Sequence, residues 1–233
     1  MYKGECFKFA KIFDLRVTTI LFILLGFGLN AQEDSLVLLT KNFKFGDGIF
    51  LTFDDFKENR ANLSWDTVYA KLHTNPQKFI TMVDSIQLES KLINDEIWGF
   101  SLGGIPYVNL NKKSDAGLDI FAGLKVRGNI CYFSLLEIEE ESQIIKAYNP
   151  RTGVPFREGE IITKKEVEKR FMLSFENGEI KPFGVENFLS WIENDPRLVN
   201  TVMGIEVGEL SEKLFKCLLI YDDRNPVFIP LRE

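Results

Sequence analysis

The stretch IWGFSLGGIPYVNL, Ile97 to Leu110, reads as a β-hairpin closed by Gly103-Gly104. Two adjacent glycines supply the positive φ angles that tight hairpin turns require. With the turn fixed there, Leu102 faces Ile105, Phe100 faces Tyr107 and Trp98 faces Asn109. One face of the ribbon would then carry Trp98, Phe100, Leu102, Ile105 and Tyr107, and such a face must be covered. The hairpin is therefore expected at the centre of a core, with cross-strand aromatic pairs adding roughly 0.2–1 kcal/mol each.

Working outward, the upstream run GIFLTFDDFKENR suggests a strand over Ile49–Phe53 and a short helix over Phe53–Asn59. Thr52 with Asp55 three residues on has the form of a capping box, and Phe53 and Phe56 would face inward. Leu36–Leu39 could form an edge strand or a loosely tied start. Residues 61–95 are harder to read: Ser64 could open a helix or a strand. Phe79–Val83 and Ile86–Leu92 look like two strands around an Asp84-Ser85 turn.

Downstream, Asn111–Gly117 is a polar loop, followed by β-type runs over Leu118–Leu124 and Lys125–Ile138. In the second run Cys131, Phe133 and Leu135 share one face, while Ile130, Tyr132 and Leu136 share the other. A strand apolar on both faces is expected to be central and covered above and below. Glu137–Glu141 reads as its end in solvent, and Ile144–Tyr148 continues β-like. Asn149–Gly153 is a turn cluster, and the segment to Glu160 is the best place for a sub-domain boundary, near 149–160. Thr163 with Glu166 is a second capping-box match, predicting a helix of about eight residues whose Lys164, Lys165, Lys169 and Arg170 form a solvated face. Asn177-Gly178 marks another hairpin.

The C-terminal part reads as helical. Val185–Asn194 carries Phe188, Leu189 and Ile192 at helical spacing, and Pro196–Met203 follows with Asp195 as cap. Glu209–Tyr221 shows a stripe of Leu210, Leu214, Cys217, Leu218 and Tyr221, before an Asp222–Pro226 turn and a closing strand Val227–Ile229. The expected class is α+β: a mainly antiparallel sheet with short helices concentrated toward the C-terminus.

The first 31 residues form a separate unit, read as a signal peptide, with residues 32–233 as a single α+β domain. Lys3, Lys8, Lys11 and Arg16 make a basic start, Val17–Leu29 is an apolar run, and cleavage is expected near Ala31. The rival reading is a transmembrane anchor, which needs roughly 20 apolar residues, more than this run contains. Removing the four Lys/Arg and two Asp/Glu of this unit leaves 24 basic and 32 acidic residues, a net charge of −8. An acidic exported chain is a poor binder of nucleic acid, which requires clustered Lys/Arg. Cys131 and Cys217 remain, read as two separate buried thiols, with a disulfide possible after export.

Several pieces together, GIFLTFDDFKENR, EIWGFSLGGIPYVN, VRGNICYF, LSFENGEIKPFGVENFLSWIENDPRL and YDDRNPVFIP, with a start that ends in LNAQ, resemble a family of uncharacterised exported Bacteroidota proteins. The resemblance implies bacterial export, to the periplasm or beyond, and one continuous fold; it brings no activity, ligand or site residue.

Searched for chemistry, the sequence nominates no catalytic, cofactor-binding or metal-ligating residue and implies no cofactor. His73 is the single histidine, and no serine lies in a G-x-S-x-G elbow. Paired acids occur at Asp54/Asp55, which a helix N-terminus favours anyway, and at Asp222/Asp223. Trp65, Trp98 and Trp191 could make a glycan platform but fit core packing better. The expectation is an exported, non-catalytic binding or interaction module of the cell envelope, its partner an envelope protein or a glycan. The alternative is a carboxylate-dependent hydrolase acting through two acids about 5–10 Å apart in a groove.

Overall fold

The computed structural model describes residues 35–231. The expected signal peptide lies outside the described residues. The fold is α+β and mainly antiparallel, as the hydrophobic periods predict. Its largest sheet uses β2 (Gly48–Phe50), β3 (Tyr69–Asn75), β4 (Ile80–Leu88), β6 (Gly99–Leu102), β7 (Ile105–Lys113) and β8 (Asp119–Gly123), in the order β2-β6-β7-β8-β4-β3. The short β5 (Lys91–Leu92) pairs with β4. A second sheet has the order β11-β10-β9, from β9 (Ile130–Tyr148), β10 (Pro155–Ser174) and β11 (Ile180–Pro182). The chain ends meet as β1 (Leu36–Leu38) with β12 (Phe228–Pro230).

The glycine-closed hairpin forms in the expected register, Leu102 opposite Ile105 and Phe100 opposite Tyr107. Gly103 and Gly104 take φ of 62° and 78°, and the Asp47 carboxylate accepts from both of their N–H groups, at 3.1 and 2.9 Å. Side chains alternate between two cores, as the period-two pleat requires. Ile49, Phe100, Tyr107 and Phe121 fill one face of the large sheet. Phe50, Val108 and Ala122 face the other way, against Cys131, Phe133 and Leu173 of the second sheet. Trp98 departs from the expected face. Strand β6 begins only at Gly99, and the indole crosses to the second core, 4.8 Å from the Phe56 ring.

Helix α1 (Phe53–Lys57) starts at the Thr52 cap, whose hydroxyl accepts from Asp55 N–H, and buries Phe56. The far face of the second sheet is covered by α2 (Val185–Trp191), α3 (Pro196–Met203, capped by Asp195) and α4 (Leu210–Arg224). There Ile130, Tyr132 and Met172 meet Phe188, Leu198, Leu214 and Leu218.

Four further sequence readings change. The Asp84-Ser85 turn does not form: β4 runs through it, and Asp84 is the extra residue of a bulge between Lys71/Leu72 and Ser85/Val83. The chain instead reverses at Glu89 and Ser90, both at positive φ. The helix expected after Thr163 is strand, part of β10, because pairing with β9 satisfies the backbone more completely than one capped turn could. The β9 run is covered above and below but lies at the edge of its sheet, not at its centre. Asp222 belongs to the last turn of α4 and not to a loop.

Candidate functional site

One element is not explained by packing. Strands β9 and β10 form a hairpin of 19 and 20 residues, paired from Ile130↔Ser174 to Tyr148↔Pro155. Its proximal part is buried on both faces, from Ile130 to Leu135. Beyond Glu137 no residue of β9 is buried, and Arg157–Glu166 of β10 are likewise exposed. This distal part is an arm, two strands wide, of about 35 Å at ~3.3 Å per residue. Its turn is Asn149–Gly153, with Gly153 at φ 67° and its N–H bonded to the Asn149 carbonyl at 2.8 Å. The 149–160 segment is thus the tip and the returning strand of one hairpin.

The arm is held by pairs across its own two strands. Glu140 meets Lys164 at 3.0 Å, Lys146 meets Glu158 at 2.8 Å, and Glu139 meets Lys169. The Lys164 and Lys169 ammonium groups are accordingly held above their usual range by the hydrogen bonds they donate to their acid partners. At its base, Glu137 reaches Lys112 of β7 at 2.5 Å and Glu166 reaches Lys78 at 3.8 Å. Between the charges stand bare apolar side chains: Ile138 is 58% exposed, Ile144 66%, Tyr148 57% and Ile162 58%. A two-stranded ribbon with no covered face is at best marginally stable in water. Among the described residues, nothing pairs with the outer edge of either strand along the arm.

The second feature is a pair of inward-pointing charges at the root of β9. Asp222 Oδ1 accepts from Ile130 N–H at 2.8 Å, and Oδ2 has no hydrogen-bond partner. Burial pushes this carboxyl up to about 7, against the backbone N–H groups of Ile130 and Asn129. Gly128 is required here, since a Cβ would lie 2.4 Å from the Asp222 Cγ. Arg127 donates from Nη1 to the Phe43 carbonyl while its Nε is unpartnered, and burial lowers its guanidinium from its ordinary value. Cys131 lies near both, and burial pushes its thiol up to about 12, so it is not a ready nucleophile. The three sit at the junction of β9, α4 and the second core, where Asp222 ties the C-terminal helix to the start of the long strand.

An open groove of about 630 Å³ lies nearby, lined in part by Asp54, Lys57, Glu58, Asn129, Glu176 and Pro230. Lys57 donates to the Glu176 carbonyl at 2.8 Å, and Glu58 pairs with Arg60 at 3.2 Å.

No family model, curated protein or solved structure matches the chain.

The candidate acids separate. Asp54 faces the groove, whereas Asp55 is buried and ion-paired with Arg60 at 2.9 Å. Burial would raise the Asp55 carboxyl, but hydrogen bonds from Thr52, Arg60 and Asn62 hold it below its usual range. Asp222 points inward and Asp223 is exposed. His73 is exposed on β3, opposite Met82. Trp65 donates to the Ser101 carbonyl at 2.9 Å and packs edge-on to Phe100. Trp191 carries Lys181 over its ring, and the three indoles lie in different parts of the fold, so no platform forms. Cys131 and Cys217 are free thiols in different cores. Among the described residues no group of three or more His, Cys, Asp or Glu could hold a metal, and no helix is long and apolar enough to cross a membrane.

Two features escaped the sequence reading. The arm has a signal: acid-rich EIEEES before the Asn149–Gly153 turn is answered by base-containing TKKEVEK after it, six and nine residues from the turn. Asp222 also has one, lying four residues after Leu218 and so on the buried stripe of α4.

Proposed function

We propose that the chain is an exported, non-catalytic interaction module of the bacterial envelope, and that the β9–β10 arm is its docking element. The carrying observation is the pair of unpaired strand edges on the arm, flanked by Ile138, Ile144, Ile162 and Tyr148 in water. Such edges are templates for a further strand, so the chemistry favours a protein partner over a glycan. Export rests on the basic start and apolar run of residues 1–31. Site-specific photo-crosslinking in the producing cell tests the reading. Probes at Ile144 and Tyr148 should yield discrete protein adducts in the envelope fraction, and a probe at exposed Glu89 on the body should not. Equal labelling at all three positions, or none on the arm, would overturn it.

A second reading, hydrolysis through carboxylates, is favoured only by the groove that gathers Asp54, Glu58 and Glu176. Turnover of peptide or glycan substrates that is abolished by D54N would establish it in place of the first.

A further inference from the structure

We propose that the partner of the arm is a second copy of this chain, with the free edge of β9 pairing antiparallel to itself about a twofold axis at Gln143. This rests on the arm being a docking element and names what docks there.

The backbone sets which groups are available. Phe175 N–H donates to the Asn129 carbonyl across the β9–β10 ladder, so odd-numbered residues of β9 turn their N–H and C=O toward β10. Phe183 N–H donates to the Arg170 carbonyl, which fits the same alternation on the outer side of β10. The even residues Ile138, Glu140, Ser142, Ile144, Lys146 and Tyr148 therefore present theirs to the free edge. This row is centred on Gln143. A twofold axis there places Ile138 opposite Tyr148, Glu140 opposite Lys146 and Ser142 opposite Ile144 of the other copy. Every outward-facing N–H and C=O of the row then finds a partner.

Charge selects this register. Glu140 already pairs with Lys164, and Lys146 with Glu158. Joining the two arms about Gln143 extends these into a row Lys164–Glu140–Lys146–Glu158 across four strands, alternating in sign, and the axis generates it twice. An axis at Ser142 would place Lys146 opposite Ile138, one at Ile144 would place it opposite Ser142, and one at Glu141 would oppose two glutamates. The outer edge of β10 is less selective. About Ile161 it sets Lys164 against Glu158 but also Arg157 against Lys165, and about Ile162 it sets Glu158 against Glu166. Charges on an edge strand usually guard it against arbitrary pairing. Here they repel or ignore most registers and satisfy one.

Sedimentation velocity over a concentration series, on the chain without residues 1–31, tests the proposal. The wild type should reach a dimer at high micromolar concentration. K146E sets two pairs of glutamates against each other, and E140K does the same with lysines. Each should weaken the dimer by about tenfold or more, from like charges directly opposed. An equimolar mixture of the two variants restores opposite charges at both contacts between the copies and should dimerise again. Q143C gives an independent reading, since position 143 would be a non-hydrogen-bonded pair with Cα atoms about 4.5 Å apart, within reach of a disulfide. Mild oxidation should link it as a dimer, and S142C, facing Ile144, should not link efficiently. A folded wild type that stays monomeric, or a mixture no better than its components, would overturn the self-pairing. Arm adducts of another mass in the crosslinking experiment would then leave the docking role standing with a different partner.

Discussion

The root and the tip of β9 share one strand and one ladder with β10, broken only by a bulge between Pro155 and Arg157, yet they live in different solvents. From Ile130 to Leu135 both faces are buried, one against Phe50, Val108 and Ala122 of the large sheet, the other against the C-terminal helices. From Ile138 to Tyr148 both faces and one edge are in water. Pairing with β10 runs through both halves, and the outer edge is bonded only at the root, where Tyr132 pairs with Val126. What differs is the side-chain code: apolar on successive residues at the root, charged pairs across the strands at the tip. The backbone ladder thus extends the ribbon, while burial decides which half of it anchors the fold.

The sharpest way to break this comparison is to make the same kind of truncation in each half. Phe133→Ala removes a fully buried ring that stacks on Phe171 at 5.4 Å and should cost about 3–5 kcal/mol. Ile144→Ala should change stability by less than about 0.5 kcal/mol, the range of ordinary surface substitutions. Urea midpoints at unchanged m-value would check both; similar losses would erase the distinction. Next in size, Gly128→Ala forces a methyl onto the Asp222 carboxylate at the root and should cost about 1–3 kcal/mol. A glycine on the arm, Gly159, has open space around a Cβ, and Gly159→Ala should be tolerated in the same assay.

The two halves should also respond differently to pH. The Asp222 carboxyl titrates near 7 in the folded chain against 3.8 as its ordinary value. Between those limits the folded state holds more protons than the unfolded one, so Asp222 makes stability fall as pH rises from about 4 to 7. Urea titrations across that range should show D222N losing this downward slope, while Glu140→Gln on the arm keeps it. A small effect is likewise expected of Lys164→Ala, which removes a solvent-screened ion pair and should leave the urea midpoint nearly unchanged.

Much of the body was legible because local chemistry and tertiary packing agree there. Gly103-Gly104 and Asn177-Gly178 demand tight turns and receive them, with Gly178 at φ 77°. Asp195-Pro196 announces α3, and its carboxylate accepts from Leu198 N–H at 3.0 Å. The misreadings come where a local signal was outbid by pairing. Thr163 and Glu166 spell a helix cap, but they stand opposite Glu141 and Ile138 of β9, and the ladder prevails. Asp84-Ser85 spells a turn, but a bulge absorbs the extra residue. Trp98 shares parity with Phe100 but lies one residue before the strand, so parity does not bind it. The arm was missed for another reason. Nothing covers it among the described residues, so no hydrophobic period reports it, and only the answering charge blocks on either side of Asn149–Gly153 do.

The central claim is that the arm serves contact and the body carries the fold. Its most direct test is equilibrium urea unfolding of a chain in which residues 138–166 are replaced by Asn-Gly, joining the hydrogen-bonded pair Glu137 and Val167. The account predicts a cooperative transition with a stability within about 1 kcal/mol of the intact chain, since a bare two-stranded ribbon contributes little. A loss comparable to that of Phe133→Ala would contradict it and return the arm to the fold.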